Sequence, residues 1–121
     1  MKNILVVDDD QFVRATLKNM LEFMGYKVVL ANDGIEGLEV FLKKHIDLVL
    51  TDLEMPLMDG GSLAHMIKHN SPETPVVLVT GSETEEVKVR LRNGSVDSVL
   101  AKPCKLEGIL RCLRDCLPAL N

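Results

Sequence analysis

Apolar residues in this chain fall into two rhythms that alternate from one end to the other. Nearly continuous runs rich in Val, Leu and Ile occupy about 3–8, 27–31, 47–52, 76–80 and 97–101. Such short apolar runs predict strands covered on both faces of a parallel sheet. Between them, apolar positions recur at helical spacing. Val13, Leu17, Met20, Leu21 and Met24 define a first helix, closed by Gly25. Ile35, Leu38, Phe41 and Leu42 form the expected inner face of a second, capped by Asn32 or Asp33. Leu63, Met66 and Ile67 mark a third, ending before Ser71-Pro72. Ser82-Glu83-Thr84-Glu85 has capping-box spacing and predicts a fourth helix running to Asn93-Gly94. Its apolar residues, Val87, Val89 and Leu91, make the least amphipathic pattern of the five. Leu106, Ile109, Leu110, Leu113 and Leu117 line the last helix, with Pro118 as its stop.

Five βα units without a linker or repeat predict a single α/β domain over residues 1–121. Right-handed crossovers lead to a five-stranded parallel sheet of order 2-1-3-4-5, doubly wound by five helices in the flavodoxin-like manner. Its switch point lies between strands one and three, and ligands bind beyond the carboxyl ends of such strands. At 121 residues, the chain can bury roughly two thirds of its unfolded surface.

Composition narrows the function classes. The formal net charge is −4, and no basic stripe suits phosphate-backbone binding, so direct nucleic-acid binding is not expected. No apolar run approaches the ~18 residues of a membrane span. The first residues, Met1-Lys2-Asn3 and four apolar positions, are too short for a signal peptide. Cys104, Cys112 and Cys116 are odd in number and confined to the last segment, so they do not read as a disulfide framework. A reducing, cytoplasmic setting is the expectation.

The strand ends carry the chemistry. Ile4-Leu5-Val6-Val7 runs into Asp8-Asp9-Asp10, and Leu48-Val49-Leu50-Thr51 into Asp52. Val76-Val77-Leu78-Val79 runs into Thr80, and Val99-Leu100-Ala101 into Lys102-Pro103. In the expected topology these tips converge. Magnesium takes oxygen ligands, usually one or two carboxylates plus phosphate and water. Asp9 and Asp52 can supply the carboxylates, with Asp8 behind them through water. Asp10 is expected mainly as a helix cap. A carboxylate left by a buried strand costs desolvation unless something compensates it. Asp52 is therefore either a strand-end acid that only caps or binds a cation, or a nucleophile for a phosphoryl group. Lys102 precedes a proline, and a cis Lys-Pro bond would aim it into the crevice.

Taken together, Val6-Val7-Asp8-Asp9, Thr51-Asp52-Leu53-Glu54-Met55-Pro56-Leu57-Met58-Asp59-Gly60, Val79-Thr80-Gly81 and Lys102-Pro103 resemble the response-regulator receiver domain of two-component signalling. The resemblance covers essentially the whole chain. It implies Asp52 as phosphoacceptor and Asp8-Asp9 as the acidic pair. It implies magnesium or manganese held by Asp9, Asp52 and the Glu54 backbone carbonyl. Thr80 would hydrogen-bond the phosphoryl group and Lys102 would pair with it. The donor would be a phosphohistidine on a sensor histidine kinase or phosphotransfer protein. The surface of helix four, strand five and helix five would be rebuilt for an effector, an output domain or a homodimer. Such a chain is a signalling phosphoacceptor rather than an enzyme.

One departure stands out. The family usually carries Tyr or Phe three residues before the lysine, where this chain has Val99. Valine has one χ angle and little reach, so any switch here is expected to run through the Gly81–Ser82 loop. The resemblance implies that Glu54 and Ser82 sit near the line of attack of a hydrolysing water. Gly81 leaves room for phosphoryl access. Two rival readings are a phosphorylation-silent docking module of receiver shape and a haloacid-dehalogenase-type phosphatase. The latter would want an Asp where Glu54 sits. His65 and His69 are four apart, a spacing that can bind metal, but no further ligands accompany them. Cys112 and Cys116 are expected at the edge of the last helix.

Overall fold

The computed structural model describes residues 1–117, so the expected stop at Pro118 lies outside the described residues. Strands β1 (Asn3–Val7), β2 (Lys27–Ala31), β3 (Leu48–Asp52), β4 (Val76–Thr80) and β5 (Ser98–Ala101) alternate with five helices. These are α1 (Gln11–Phe23), α2 (Gly34–Lys43), α3 (Gly60–Asn70), α4 (Glu85–Arg92) and α5 (Leu106–Cys116). The sheet is parallel throughout and ordered β2-β1-β3-β4-β5, as expected from the alternation.

Side chains of a strand point alternately to its two faces, and β1 shows what that does here. Ile4 and Val6 pack under α1 and α5 with Leu17, Leu21, Ile109 and Cys112. Leu5 and Val7 pack on the other face with Leu63, Ala64, Ile67 and Val87. Every residue of β3 and β4 is buried. Full burial of each Val or Leu in such strands contributes about 1.5–3 kcal/mol, which locks the register. The register sets Val7 beside Thr51, Asp52 beside Val79, and Thr80 beside Ala101. All four functional strand tips therefore finish at one edge of the core.

The helix caps refine the expectations. Asp10 caps α1 by accepting the Phe12 and Val13 N–H groups. Gly25 follows α1 at φ +96°, a left-handed conformation that favours glycine. Asp33, rather than Asn32, caps α2. On α2 the inward residues are Gly37, Leu38, Val40 and Phe41, whereas Ile35 and Leu42 are exposed. A methyl at Gly37 would lie 2.9 Å from Val7, so the helix seats its glycine on the sheet and rotates those two outward. Thr84, not Ser82, caps α4 by accepting the Val87 N–H. Ser82 stays in the loop because its N–H is taken by Thr80. On α5, Leu106 and Leu110 are exposed while Cys112 is buried in the core, so Cys112 contributes to no surface. Met66 is likewise partly exposed. Ile109 and Leu113 supply the contact instead.

Candidate functional site

The crevice begins with how Asp8 is held. Its N–H donates to the Ala31 carbonyl at 3.2 Å, continuing the β1–β2 ladder. Its Oδ1 accepts the Asp10 N–H at 2.8 Å, closing a tight turn into α1. Its carbonyl accepts from Arg14 Nη1 at 2.7 Å. Asp8 is only 1% exposed, and its Oδ2 makes no directed hydrogen bond. Lys102 Nζ stands 3.1 Å from that oxygen, close enough for a charge contact without hydrogen-bond alignment. A buried carboxylate oxygen with open lone pairs facing a crevice is a position built for a cation.

Asp52 stands beside it at the end of β3. The carboxylates of Asp8, Asp9 and Asp52 each offer an oxygen, and these atoms lie within 4.8 Å of one another. Lys102 Nζ reaches Asp52 Oδ1 at 3.2 Å, so one ammonium bridges two acids. Burial, followed by the charge of Asp8, raises the Asp52 pKa, and Lys102 lowers it in part. Burial by itself would lower the Lys102 pKa, but the close contact and charge of Asp8, joined by those of Asp52, hold it raised. Three acids share one mobile cation, so negative charge remains in excess. A hard dication fits that excess and the all-oxygen donor set.

The loop after Asp52 is tight. Gly60 N–H returns to the Leu53 carbonyl at 2.7 Å, and a methyl at Gly60 would lie 2.0 Å from the Asp52 carbonyl oxygen. No residue larger than glycine fits there. Within the loop, Met58 N–H donates to the Pro56 carbonyl at 2.8 Å around Leu57, which adopts φ 74°. That is a strained conformation for a non-glycine residue, and the Leu57 side chain is exposed. Glu54 is exposed in the bend two residues past Asp52.

Thr80 ends β4, 8% exposed. Its Oγ1 donates to the Ser82 carbonyl at 3.0 Å and accepts the Ser82 N–H at 3.3 Å. The hydroxyl is engaged with its own loop. A cavity of about 260 Å³ opens next to it, lined by Gly81, Ser82, Val99, Ala101 and Arg111. Val99 leaves space there that a ring would fill. Lys102-Pro103 is cis. Clefts of about 470 and 550 Å³ lie at the opposite end of the sheet, around the strand starts. They hold no comparable convergence of acids, and phosphoryl chemistry needs convergent charge rather than volume.

All five expected side chains, Asp8, Asp9, Asp52, Thr80 and Lys102, are thus at the one rim. Asp9 is exposed while Asp8 is buried, which separates an outer from an inner acid. His65 and His69 are exposed on α3 and gain no third ligand among the described residues. Arg14 went unforeseen. Its only sequence signal is a position one turn into the helix that follows the acids.

An acid-lined crevice at the switch point of a 2-1-3-4-5 sheet places the chain among the flavodoxin-like doubly wound folds. The chain belongs to the response regulator receiver domain family, whose pattern matches residues 4–114. It is 42% identical to the sensor histidine kinase RcsC of Escherichia coli K12 over 110 residues, 91% of this chain and 12% of that protein. It is 35% identical to the response regulator MprA of Mycobacterium leprae over 111 residues, 92% of this chain and 49% of that protein. The chain thus spans half or less of these curated relatives. Among solved structures, the chemotaxis protein CheY4 of Vibrio cholerae superposes with a TM-score of 0.90 at 29% identity, covering 97% of this chain and 99% of that one. The response regulator TrrA of Thermotoga maritima, in complex with Mg2+ and BeF, gives 0.86 at 30% identity, covering 97% and 100%. No described helix is long and apolar enough to cross a membrane.

Proposed function

We propose that Asp52 accepts a phosphoryl group from a phosphohistidine donor and that the chain, one receiver domain over 1–121, reports it by conformational change. The observation that carries this is Lys102 bridging Asp8 and Asp52 at 3.1 and 3.2 Å, with Asp9 completing the acid cluster. A carboxylate oxygen of Asp52 attacks phosphorus as the P–N bond to the donor imidazole breaks, and the imidazole keeps the bonding pair. Lys102 then exchanges its contact with the free carboxylate for one with a phosphoryl oxygen. Magnesium or manganese, held by Asp9, Asp52 and the Glu54 carbonyl with Asp8 behind them, supplies neutralisation of the equatorial oxygens when bound. Thr80 Oγ1 turns from Ser82 to donate to the new oxygens, which frees the Gly81–Ser82 loop. Turnover is limited to gain and loss of its own phosphoryl group, so the chain is not an enzyme toward other substrates.

The donor is a sensor histidine kinase or a histidine phosphotransfer protein, in the cytoplasm. The α4–β5–α5 face passes the signal to an effector, an output domain or a second copy. Exposed Val89, Leu106 and Leu110 on that face support this. Incubation with acetyl phosphate and magnesium followed by intact-mass measurement should add one phosphoryl group to the wild-type chain and none to Asp52→Asn. An unchanged wild-type mass would leave the silent docking module. Continuous release of phosphate from simple esters would favour the dehalogenase-type phosphatase.

A further inference from the structure

Helix α4 is anchored lightly. It has eight residues, of which only Val87 is buried, and Val89 is 42% exposed. Leu91 packs half-buried at the edge of the core, and a further contact is made by a cation. The Arg90 guanidinium lies directly on Gly61 at the start of α3. A methyl at Gly61 would come within 2.4 Å of Arg90 Cζ, and within 2.6 and 2.8 Å of its two terminal nitrogens. The seat therefore exists because residue 61 is glycine. Gly61 follows Gly60, whose backbone is pressed on the Asp52 carbonyl and bonded to Leu53. The chain of contact runs from the main chain of Asp52, through Gly60 and Gly61, to Arg90 on α4.

The seat is also incompletely satisfied. Arg90 Nε is buried with no hydrogen-bond partner, and its Nη2 meets Glu86 Oε1 only at 3.4 Å. A buried, unpaired donor costs free energy that is recovered when it reaches water. The stem and guanidinium packing hold α4 in place, while the orphaned N–H keeps that hold shallow. A shallow hold lowers the free-energy cost of leaving the seat, which is what a switch requires. In this chain Val99 provides no aromatic ring to carry the signal from Thr80 along β5.

We propose that Arg90, seated on Gly61, is the latch that holds α4 in its resting position, and that it leaves this seat when Asp52 is phosphorylated. This inference rests on the phosphoacceptor reading above. The latch biases the equilibrium toward the resting state, so removing it raises affinity for anything that mimics the phosphoryl group, by linkage.

The test uses two variants that empty the seat from opposite sides. Arg90→Ala deletes the cation. Gly61→Ala expels it, at small cost because the displaced atoms end a flexible side chain. Beryllium fluoride affinity is measured by titration in saturating magnesium, with thermal unfolding of each variant alongside. The latch requires both variants to bind beryllium fluoride roughly fivefold or more tightly than wild type. A merely structural role would lower the unfolding temperature without tightening binding. Unchanged or weaker binding in either variant overturns the latch while wild-type binding upholds the site. A wild-type chain that binds no beryllium fluoride overturns the phosphoacceptor reading and the latch with it.

Discussion

The two sides of the crevice are built to different standards. On the β1–β3 side, Asp8 is tied through its N–H, its carbonyl and one carboxylate oxygen, and the loop after Asp52 closes on a glycine that tolerates no side chain. On the β4–β5 side, the Thr80 hydroxyl bonds only to its own loop, a cavity opens beside it, and a methyl at Gly81 would meet nothing within 4 Å. Binding a dication and a phosphoryl group requires preorganised oxygens, which the first side supplies. Reporting that binding, on the proposed reading, requires a region with few constraints, and the second side is the less constrained of the two. The proposed function depends on this contrast.

That contrast breaks most visibly at the glycines. Gly60→Ala should destabilise the fold by about 3 kcal/mol or more through backbone overpacking, read by denaturant unfolding. Gly81→Ala, its counterpart across the crevice, should stay within about 0.5 kcal/mol. Comparable losses at both sites would erase the distinction.

Lys102→Ala removes the one cation shared by the two sides. Phosphorylation by acetyl phosphate should slow by roughly 100-fold, the usual scale for losing a preorganised charge contact. Pre-steady-state mass measurements would register it, and a rate within threefold of wild type would mean that Lys102 is a spectator.

A third measurement concerns pH. The folded-state pKa of Asp52 is raised by burial and Asp8, so the native state retains its proton to higher pH than the unfolded chain. Its charge therefore costs no native stability below the unfolded value of 3.8, and the cost develops as pH rises through the folded pKa. Asp52→Asn should consequently raise the unfolding temperature at neutral pH, and the gain should shrink toward acid. Lys102 has the opposite sense: its contribution is complete below 10.5 and lost as pH rises through its raised folded pKa. A variant gain that grows on acidification would show that the acids do not repel as their packing implies.

The smallest effect is at a helix cap. Asp10→Ala removes the side-chain acceptor of two α1 N–H groups and should cost about 1 kcal/mol, measured by thermal unfolding.

Much of this molecule is local in origin. The strand–helix alternation, the parallel order, and the placement of Asp8, Asp52, Thr80 and Lys102 at strand tips all follow from which short runs are continuously apolar and where they stop. Burial on both faces and right-handed crossovers leave few other arrangements. Asp10 and Gly25 were legible for the same reason, since caps act within one turn.

What only the tertiary structure decided depends on residues distant in the chain. Ile35 and Leu42 have helical spacing with Leu38 and Phe41, yet the seating of Gly37 on Val7 turned them to solvent. Ser82 satisfies the capping-box spacing, but its N–H was claimed by the Thr80 hydroxyl and the helix began at Thr84. The grip of Arg14 on the Asp8 carbonyl and the seat of Arg90 on Gly61 have no periodic signature. Hydrophobic period states which face of an element is buried. The partners that a charged side chain finds are set by how neighbouring elements dock, and that becomes determinate only once the core has packed.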